Sequence, residues 1–359
     1  MAPNTEALAL EQVTEYFEKL AIDGTDKYVV FPNVSLEPLE PFEHQDPGHL
    51  ADPTKTSILE QAESVVTLTP HIGTEIHGLQ LSKLTEQQKN DLALLVEERG
   101  VVFFKNQDIS TKQLVDLGKH YGPLHHHPVG GHEEDSQYAM SIYSDSRFAS
   151  KFRAGQNSQP AASTLHSDIT FEKQPAGITF LKLELVPKTG GDTIWYSAYE
   201  AYDRLSPALQ RFLEGLRATH QGDIFEHYSK FAGIPLRREV PQDTTHPVVR
   251  THPVTGWKSL FVQPGFTRSI VGLRKHESDA LLKLLYEHLG GGYDFQVRYK
   301  WGANDVAIWD NRVTNHCAIP DYQSNEKRYG FRVTSTAEAP YFDPKSKSRR
   351  QDLEEAQKY

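Results

Sequence analysis

The chain has 359 residues, 38% of them hydrophobic and 10% aromatic, with 38 Lys and Arg against 48 Asp and Glu and a formal net charge of −10. This content can build a sizeable core, as one large domain or two ordinary ones, and argues against wholesale disorder. The acidic balance argues against a nucleic-acid partner, and a single cysteine, Cys317, leaves no intrachain disulfide and no cysteine-based zinc site.

Residues 1 to 65 are punctuated by Pro32, Pro38, Pro41, Pro47 and Pro53 without sustained periodicity, which reads as a partly irregular N-terminal arm laid over a body. The first residues carry neither a basic nor an apolar leader, and no apolar run approaches the roughly 18 residues that span a bilayer. A soluble, cytoplasmic protein with no membrane partner is expected. Thr85 and Gln88 form a capping box for a helix through Glu98, stopped by Gly100, and Val101–Phe104 then reads as a buried strand. Ser110 caps a second helix through Tyr121. Strand-like runs follow at 178–186, 193–196, 248–251, 257–262, 295–301, 305–309 and 330–336. Two helices interrupt them, Pro207–Leu216 behind the cap Ser206, and one near Ser278–Leu289. Residues 341–359 read as a charged, frayed tail. Many short strands with Gly and Pro turns predict, over 66–340, a mixed α/β fold with a double-stranded β-helix (jelly-roll) core and flanking helices. Neither alternating βαβ units nor a Gly-rich phosphate loop is present.

His166-Ser167-Asp168 places two metal-ligand types at i and i+2, which share a face on a strand. With 17 histidines such a tripeptide arises by chance, and His44-Gln45-Asp46 is a second copy. His316, just after the strand Val306–Trp309, supplies a third candidate. Two histidines and one carboxylate make a facial triad that leaves three metal positions open and suits a divalent ion such as Fe(II), with Mn, Co or Ni also accepted. Arg328 and Arg332 stand at i and i+4 of a strand, about 13 Å apart on one face, with Gly330 between them. They are either a pair of surface salt-bridge arginines or two guanidinium groups aimed at two anionic groups in one cavity.

The ordered set His166-Ser-Asp168, Gly190-Gly-Asp-Thr193, Asp310-Asn-Arg312, His316 and Arg328…Arg332 resembles the taurine dioxygenase family of Fe(II)/2-oxoglutarate-dependent oxygenases. The resemblance runs from about Thr67 to Thr336 and includes Tyr121–Pro128, His246–Gly256 and Phe261–Arg268. His44-Gln45-Asp46 falls outside it. It implies that His166, Asp168 and His316 bind Fe(II), and that Thr193 and Arg328 hold the distal carboxylate of 2-oxoglutarate. Arg332 and His127 would hold the sulfonate of a small anionic substrate, helped by the backbone at Ile169. The implied reaction is hydroxylation with O2 and 2-oxoglutarate as cosubstrates, yielding succinate, CO2, an aldehyde and sulfite; a homo-oligomer is compatible with it. Departures fall at the amine end of a taurine-like substrate. Ala162 replaces the family's asparagine, Gly130 replaces a tyrosine, and the loop 131–164, a candidate lid, is longer. The spacing from His316 to Arg328 is also one residue longer, a slip within Gln323–Lys327. An alkyl or aryl sulfonate, a sulfate ester or an aryloxy-carboxylate are therefore the alternatives to taurine. An intact triad, the Thr193/Arg328 pair and a second arginine argue against a non-catalytic jelly-roll metal-binding or storage protein, and a zinc hydrolase with the same ligands would leave the two arginines without a shared purpose.

Overall fold

The computed structural model describes residues 19–356 except 23–24, 26, 32–33, 134–135, 145–160, 233 and 323–325. Most of the candidate lid and the slip region 323–325 therefore lie outside the described residues, as do residues 1–18. Both capping boxes form: Thr85 with Gln88 opens α1 (Glu86–Arg99), and Ser110 with Gln113 opens α2 (Thr111–Lys119). The later helices are α3 (Ala198–Asp203), α4 (Pro207–Leu213), α5 (Asp223–Ala232), α6 (Lys275–Gly290) and α7 (Arg349–Ala356).

The strands are β1 Lys19–Ala21, β2 Tyr28–Val30, β3 Ser64–Thr67, β4 Thr74–His77, β5 Val101–Phe104, β6 His132–Glu133, β7 Ser136–Ser144, β8 Ala176–Leu185 and β9 Thr193–Ser197. They continue as β10 Arg217–His220, β11 Thr244–Pro247, β12 Val249–Thr251, β13 Lys258–Leu260, β14 Thr267–Ile270, β15 Gln296–Tyr299, β16 Asp305–Asp310, β17 Thr314–Ala318 and β18 Arg328–Thr336. Ten of them form one large sheet in the order β1-β2-β6-β7-β18-β8-β16-β5-β4-β3. All its pairings are antiparallel except β4 with β5. A smaller sheet, β15-β9-β17, is separate, as are the sheets β11-β10-β14 and β12-β13.

The period-2 alternation of buried strands explains the layering. On β5 and β16, Val102, Phe104, Val306 and Ile308 join Leu92 and Val96 of α1 and Leu114 and Leu117 of α2 in one apolar cluster. Their neighbours Val101, Phe103, Ala307 and Trp309 point the other way, into a second cluster with Trp195, Val297 and Tyr299 of the smaller sheet. The fold is thus mixed α/β, with helices on one face of a large sheet and a smaller sheet on the other.

The described parts of the N-terminal arm and of the C-terminal tail are more ordered than their composition suggests. Asp46 caps a short 3-10 helix, Pro47–Leu50, and is buried. The charged tail carries α7, which docks through Trp257 Nε1 donating to Asp352 Oδ2 (2.9 Å) and Arg349 pairing with Glu200 (3.2 Å). Among the described residues, no helix is long and apolar enough to cross a membrane.

Candidate active site

His166 and His316 are brought side by side by an isolated antiparallel bridge. Each N–H donates to the other's carbonyl, at 3.0 and 2.8 Å, and the imidazole centroids lie 4.3 Å apart. Asp168 is not on a continuing strand, as the i, i+2 argument expected, but in the turn that follows. Asn311 sets its position. The Asn311 Oδ1 accepts the Asp168 N–H (3.0 Å) and Trp309 Nε1–H (3.1 Å), while Nδ2 donates to Gly177 O (2.9 Å) and Thr179 Oγ1 (2.8 Å). Ser167 Oγ donates to the Asn311 carbonyl. With every bonding direction of its amide used, Asn311 holds the turn rigidly.

The three side chains converge. Asp168 Oδ1 lies 3.6 Å from His166 Nε2 and 3.9 Å from His316 Nε2, and the three ligand atoms all fall within 4.8 Å of one another. His166 Nδ1 lies 2.9 Å from Thr164 O, and in the tautomer that donates this bond the Nε2 lone pair faces Asp168. Burial, and then His166, push His316 well below the ordinary histidine value, so its ring is neutral near pH 7. Burial opposes ionisation of Asp168, but Arg332, His316 and His166 outweigh it and hold the carboxyl far below its usual range. Two imidazoles and one ionised carboxylate on one small space are a donor set that suits a divalent transition metal.

The two arginines are neither surface residues nor a pair. Buried Arg328 donates from Nε to Gly191 O (3.2 Å) and from Nη2 to Thr193 Oγ1 (3.5 Å), so the two residues expected to share one carboxylate do meet. Arg332 Nη1 donates to Asp168 Oδ1 at 2.7 Å, beside the triad, and Nη2 contacts Met140 Sδ. Gly330, between them in sequence, is required by the approach of two strands. A Cβ there would lie 1.9 Å from the Lys182 carbonyl, where the β18–β8 register shifts, so close strand approach demands the glycine.

His127 Nδ1 accepts the N–H groups of Gly130 (2.7 Å) and Val129 (3.3 Å). Burial, then Arg332, lower its basicity well below normal, so Nε2 carries the remaining proton as a donor. A Cβ at Gly130 would stand 2.9 Å from that Nδ1 and 2.8 Å from Met140 Cγ, which ties this departure from the family pattern to the seating of His127. Ile169 is a β-branched residue at φ 47, a strained conformation held directly after Asp168. It packs with Phe171, Val240 and Phe266, and Phe225 of α5 joins them and meets His127 edge-on at 4.9 Å. Sequence reasoning missed Arg237, whose guanidinium grips the carbonyls of His127 and Gly130 from the segment after α5. No local signal marks it.

A second cluster of ligand types, Glu97, His252 and Asp310, is fully buried beneath the β16–β17 turn. Its cation is already present. Arg312 chelates Asp310 and reaches Glu97 (3.1 Å), Asp46 (2.5 Å) and Glu338 (3.4 Å). The second His-x-Asp copy in the arm is therefore structural: Asp46 is a counter-ion of Arg312. Burial, then Asp46, raise Glu97 well above the usual carboxyl value. The unfolded chain ionises Glu97 above its ordinary value while the folded chain keeps it protonated, so this residue lowers stability progressively as pH rises. Glu97→Gln should fold, and its stability relative to the wild type in urea titrations should increase from about pH 5 to about pH 8; a constant difference would contradict a protonated Glu97.

Comparison with known proteins points to one family. A sequence profile described as "Taurine catabolism dioxygenase TauD, TfdA family" matches residues 64–334. The alpha-ketoglutarate-dependent dioxygenase cnsM of Penicillium expansum is 40% identical over 316 residues, covering 86% of this chain and 88% of that one. The alpha-ketoglutarate-dependent sulfonate dioxygenase of Saccharomyces cerevisiae is 36% identical over 331 residues, 90% of this chain and 78% of that one. A crystal structure of a taurine dioxygenase from Burkholderia xenovorans superposes with a TM-score of 0.65 at 33% identity, over 79% of this chain and 92% of that one. The chain belongs to the taurine catabolism dioxygenase TauD, TfdA family.

Proposed function

We propose that the chain is an Fe(II)- and 2-oxoglutarate-dependent dioxygenase that hydroxylates a small organic anion, a sulfonate, and that its apposed sheets form a double-stranded β-helix, or jelly roll. The observations that carry this reading are the His166–Asp168–His316 donor set with Arg332 bonded to Asp168, and the buried Thr193–Arg328 pair, whose Thr193 lies on the strand paired with that of His316 and whose Arg328 shares β18 with Arg332. His166, Asp168 and His316 hold the metal. When bound, Fe(II) supplies the dioxygen chemistry that couples decarboxylation of 2-oxoglutarate to succinate and CO2 with hydroxylation of a substrate C–H bond. Arg328 and Thr193 bind the distal carboxylate of 2-oxoglutarate by charge-assisted hydrogen bonds. Arg332 and the His127 Nε2–H orient the substrate anion, and Ile169 with the phenylalanines beside it excludes water. A sulfonate hydroxylated on the carbon bearing sulfur collapses to an aldehyde and sulfite.

The surroundings favour an apolar body over taurine's ammonium group. Ala162 offers no polar group for an amine and packs with the apolar cluster beside Gly290, and the ring against His127 is Phe225, with Phe171 and Phe266 behind it. The test is sulfite release, oxygen uptake and succinate formation on a panel of taurine, alkyl- and arylsulfonates, alkyl sulfates and aryloxy-carboxylates. Sulfite equal to succinate, with a longer alkyl or aryl sulfonate preferred over taurine, is expected. Succinate without sulfite from every sulfonate would overturn the sulfonate reading; activity with zinc and no oxygen would overturn the enzyme class.

A further inference from the structure

Thr193 has a hydrogen-bonding problem whose solution lies outside the resembling motif. Its hydroxyl oxygen, buried between the sheets, meets two groups that can only donate: Trp301 Nε1–H at 3.0 Å and Arg328 Nη2–H at 3.5 Å. A threonine hydroxyl has two acceptor directions and one proton. With both acceptor directions taken by obligate donors, the proton must point along the remaining direction. No acceptor for it stands among the described residues.

The indole that imposes this orientation is itself held fast. Thr193 pairs with Tyr299 across β9 and β15, and Trp301 follows Tyr299 by two residues, which returns it to the same side of the chain. Trp301 packs edge-on to Tyr299 (5.4 Å, 90°) and tilted on Trp195 (6.3 Å, 54°). Tyr299 is stacked on Phe103 at 3.9 Å and donates its hydroxyl to Asp305 at 3.0 Å. The indole N–H has no room to turn away.

We infer that Trp301 is a positioning residue for 2-oxoglutarate: by donating to Thr193 Oγ1 it commits the threonine proton to the distal carboxylate of the cosubstrate. This rests on the assignment of Thr193 and Arg328 to that carboxylate. Without the indole donor the hydroxyl can rotate, and the carboxylate meets a lone pair as readily as a proton. A hydrogen bond pre-aimed at a charged acceptor is worth roughly a five- to tenfold change in affinity.

The experiment is a double-mutant cycle with Trp301→Phe and Thr193→Val, reading the Kd of 2-oxoglutarate by calorimetry on the Zn(II)-loaded protein, alongside KM and kcat with Fe(II). Trp301→Phe is expected to raise the Kd and KM for 2-oxoglutarate roughly five- to tenfold, with kcat at saturation within about twofold. Binding of 2-oxobutyrate, which lacks the distal carboxylate, should not change. In the Thr193→Val background, Trp301→Phe should add nothing. Losses that add, or a Trp301→Phe protein with wild-type affinity beside a weakened Thr193→Val, would overturn the inference and leave the carboxylate assignment standing. A Thr193→Val protein with full affinity would instead overturn the assignment and the inference with it.

Should Trp301→Phe fail to fold, the indole ¹⁵N–¹H signals of the 4 tryptophans give the same answer. One signal should be displaced by Thr193→Val, and that same signal should move when 2-oxoglutarate binds the Zn(II)-loaded wild type but not Thr193→Val. If Thr193→Val displaces none of the four, Trp301 does not serve Thr193.

Discussion

Arg312→Ala should destabilise the fold by about 3–5 kcal/mol, the range for removing one partner of a buried ion pair. The expected record is a lower urea midpoint at unchanged slope. The guanidinium is fully buried and is the only cation in contact with both Asp310 and Asp46 among the described residues; Glu338 also has Arg250. Truncation leaves Asp46 and Asp310 with only the imidazoles of His44 (3.6 Å) and His252 (2.9 Å) as basic partners, and no permanent charge offsets the desolvation they suffered on folding. Arg312→Lys should recover part of the loss, because one ammonium cannot fork between Asp310, Glu97 and Asp46 at once. The sign with pH follows from the folded-state values. Burial works against ionisation of both Asp46 and Asp310, but Arg312 prevails and holds both far below their ordinary 3.8. Their stabilisation is present above that value and lost as pH falls below it. Without Arg312 both groups take up protons more readily, so the deficit of Arg312→Ala should be largest near neutrality and shrink in acid. A deficit that does not vary with pH would mean that packing, not charge, accounts for it.

Loss of a triad ligand should be the largest effect on activity. His166→Ala and Asp168→Ala are expected to abolish turnover and the visible charge-transfer band that Fe(II) and 2-oxoglutarate give under anaerobic titration. Asn311→Ala leaves all three ligands in place but frees the Asp168 turn, so metal affinity should fall by about 10–100-fold, as for other outer partners of metal ligands. Arg332→Ala should keep the band and raise substrate KM, and Arg328→Ala should lose the band at ordinary 2-oxoglutarate concentrations. If Arg332→Ala abolishes 2-oxoglutarate binding and Arg328→Ala does not, the roles of the two arginines are exchanged.

Elements with strong local signals were legible in the sequence. The capping boxes at Thr85 and Ser110 placed α1 and α2 to within two residues at their ends, the apolar run of β5 read as a buried strand, and those of β8 and β16 read as strands. Missed elements lack such signals. α5 has Gln221-Gly222 before it and no side-chain cap, and α3 follows β9 with Ser197 serving as both strand end and helix cap. β7 lies in a stretch read as a loop; its sequence, Ser-Gln-Tyr-Ala-Met-Ser-Ile-Tyr-Ser, breaks the period-2 alternation that would have marked a nine-residue strand.

The site was legible as a list of residues more than as a geometry. Its donors were named from their order along the chain, but the reason given for Asp168 was wrong in detail, since a bridge and a turn present it. Asn311 acts across 143 residues of sequence, and Trp301 across 108, separations at which no periodicity or spacing carries information. Asp46 is the same lesson reversed: a tripeptide set aside because it lies in a proline-rich arm turns out to be fixed in the interior.

The stretch that matches the family, 64–334, contains two of the four carboxylates around Arg312, Glu97 and Asp310. The other two, Asp46 and Glu338, lie beyond it on opposite sides. An excised core cut at the family boundaries would keep every proposed ligand of iron and of 2-oxoglutarate, yet close around a guanidinium left with the Asp310 carboxylate and the protonated Glu97, without Asp46 and Glu338. A fragment cut at 64 and 334 is therefore expected to be less stable in urea titration than one that extends from before Asp46 to past Glu338.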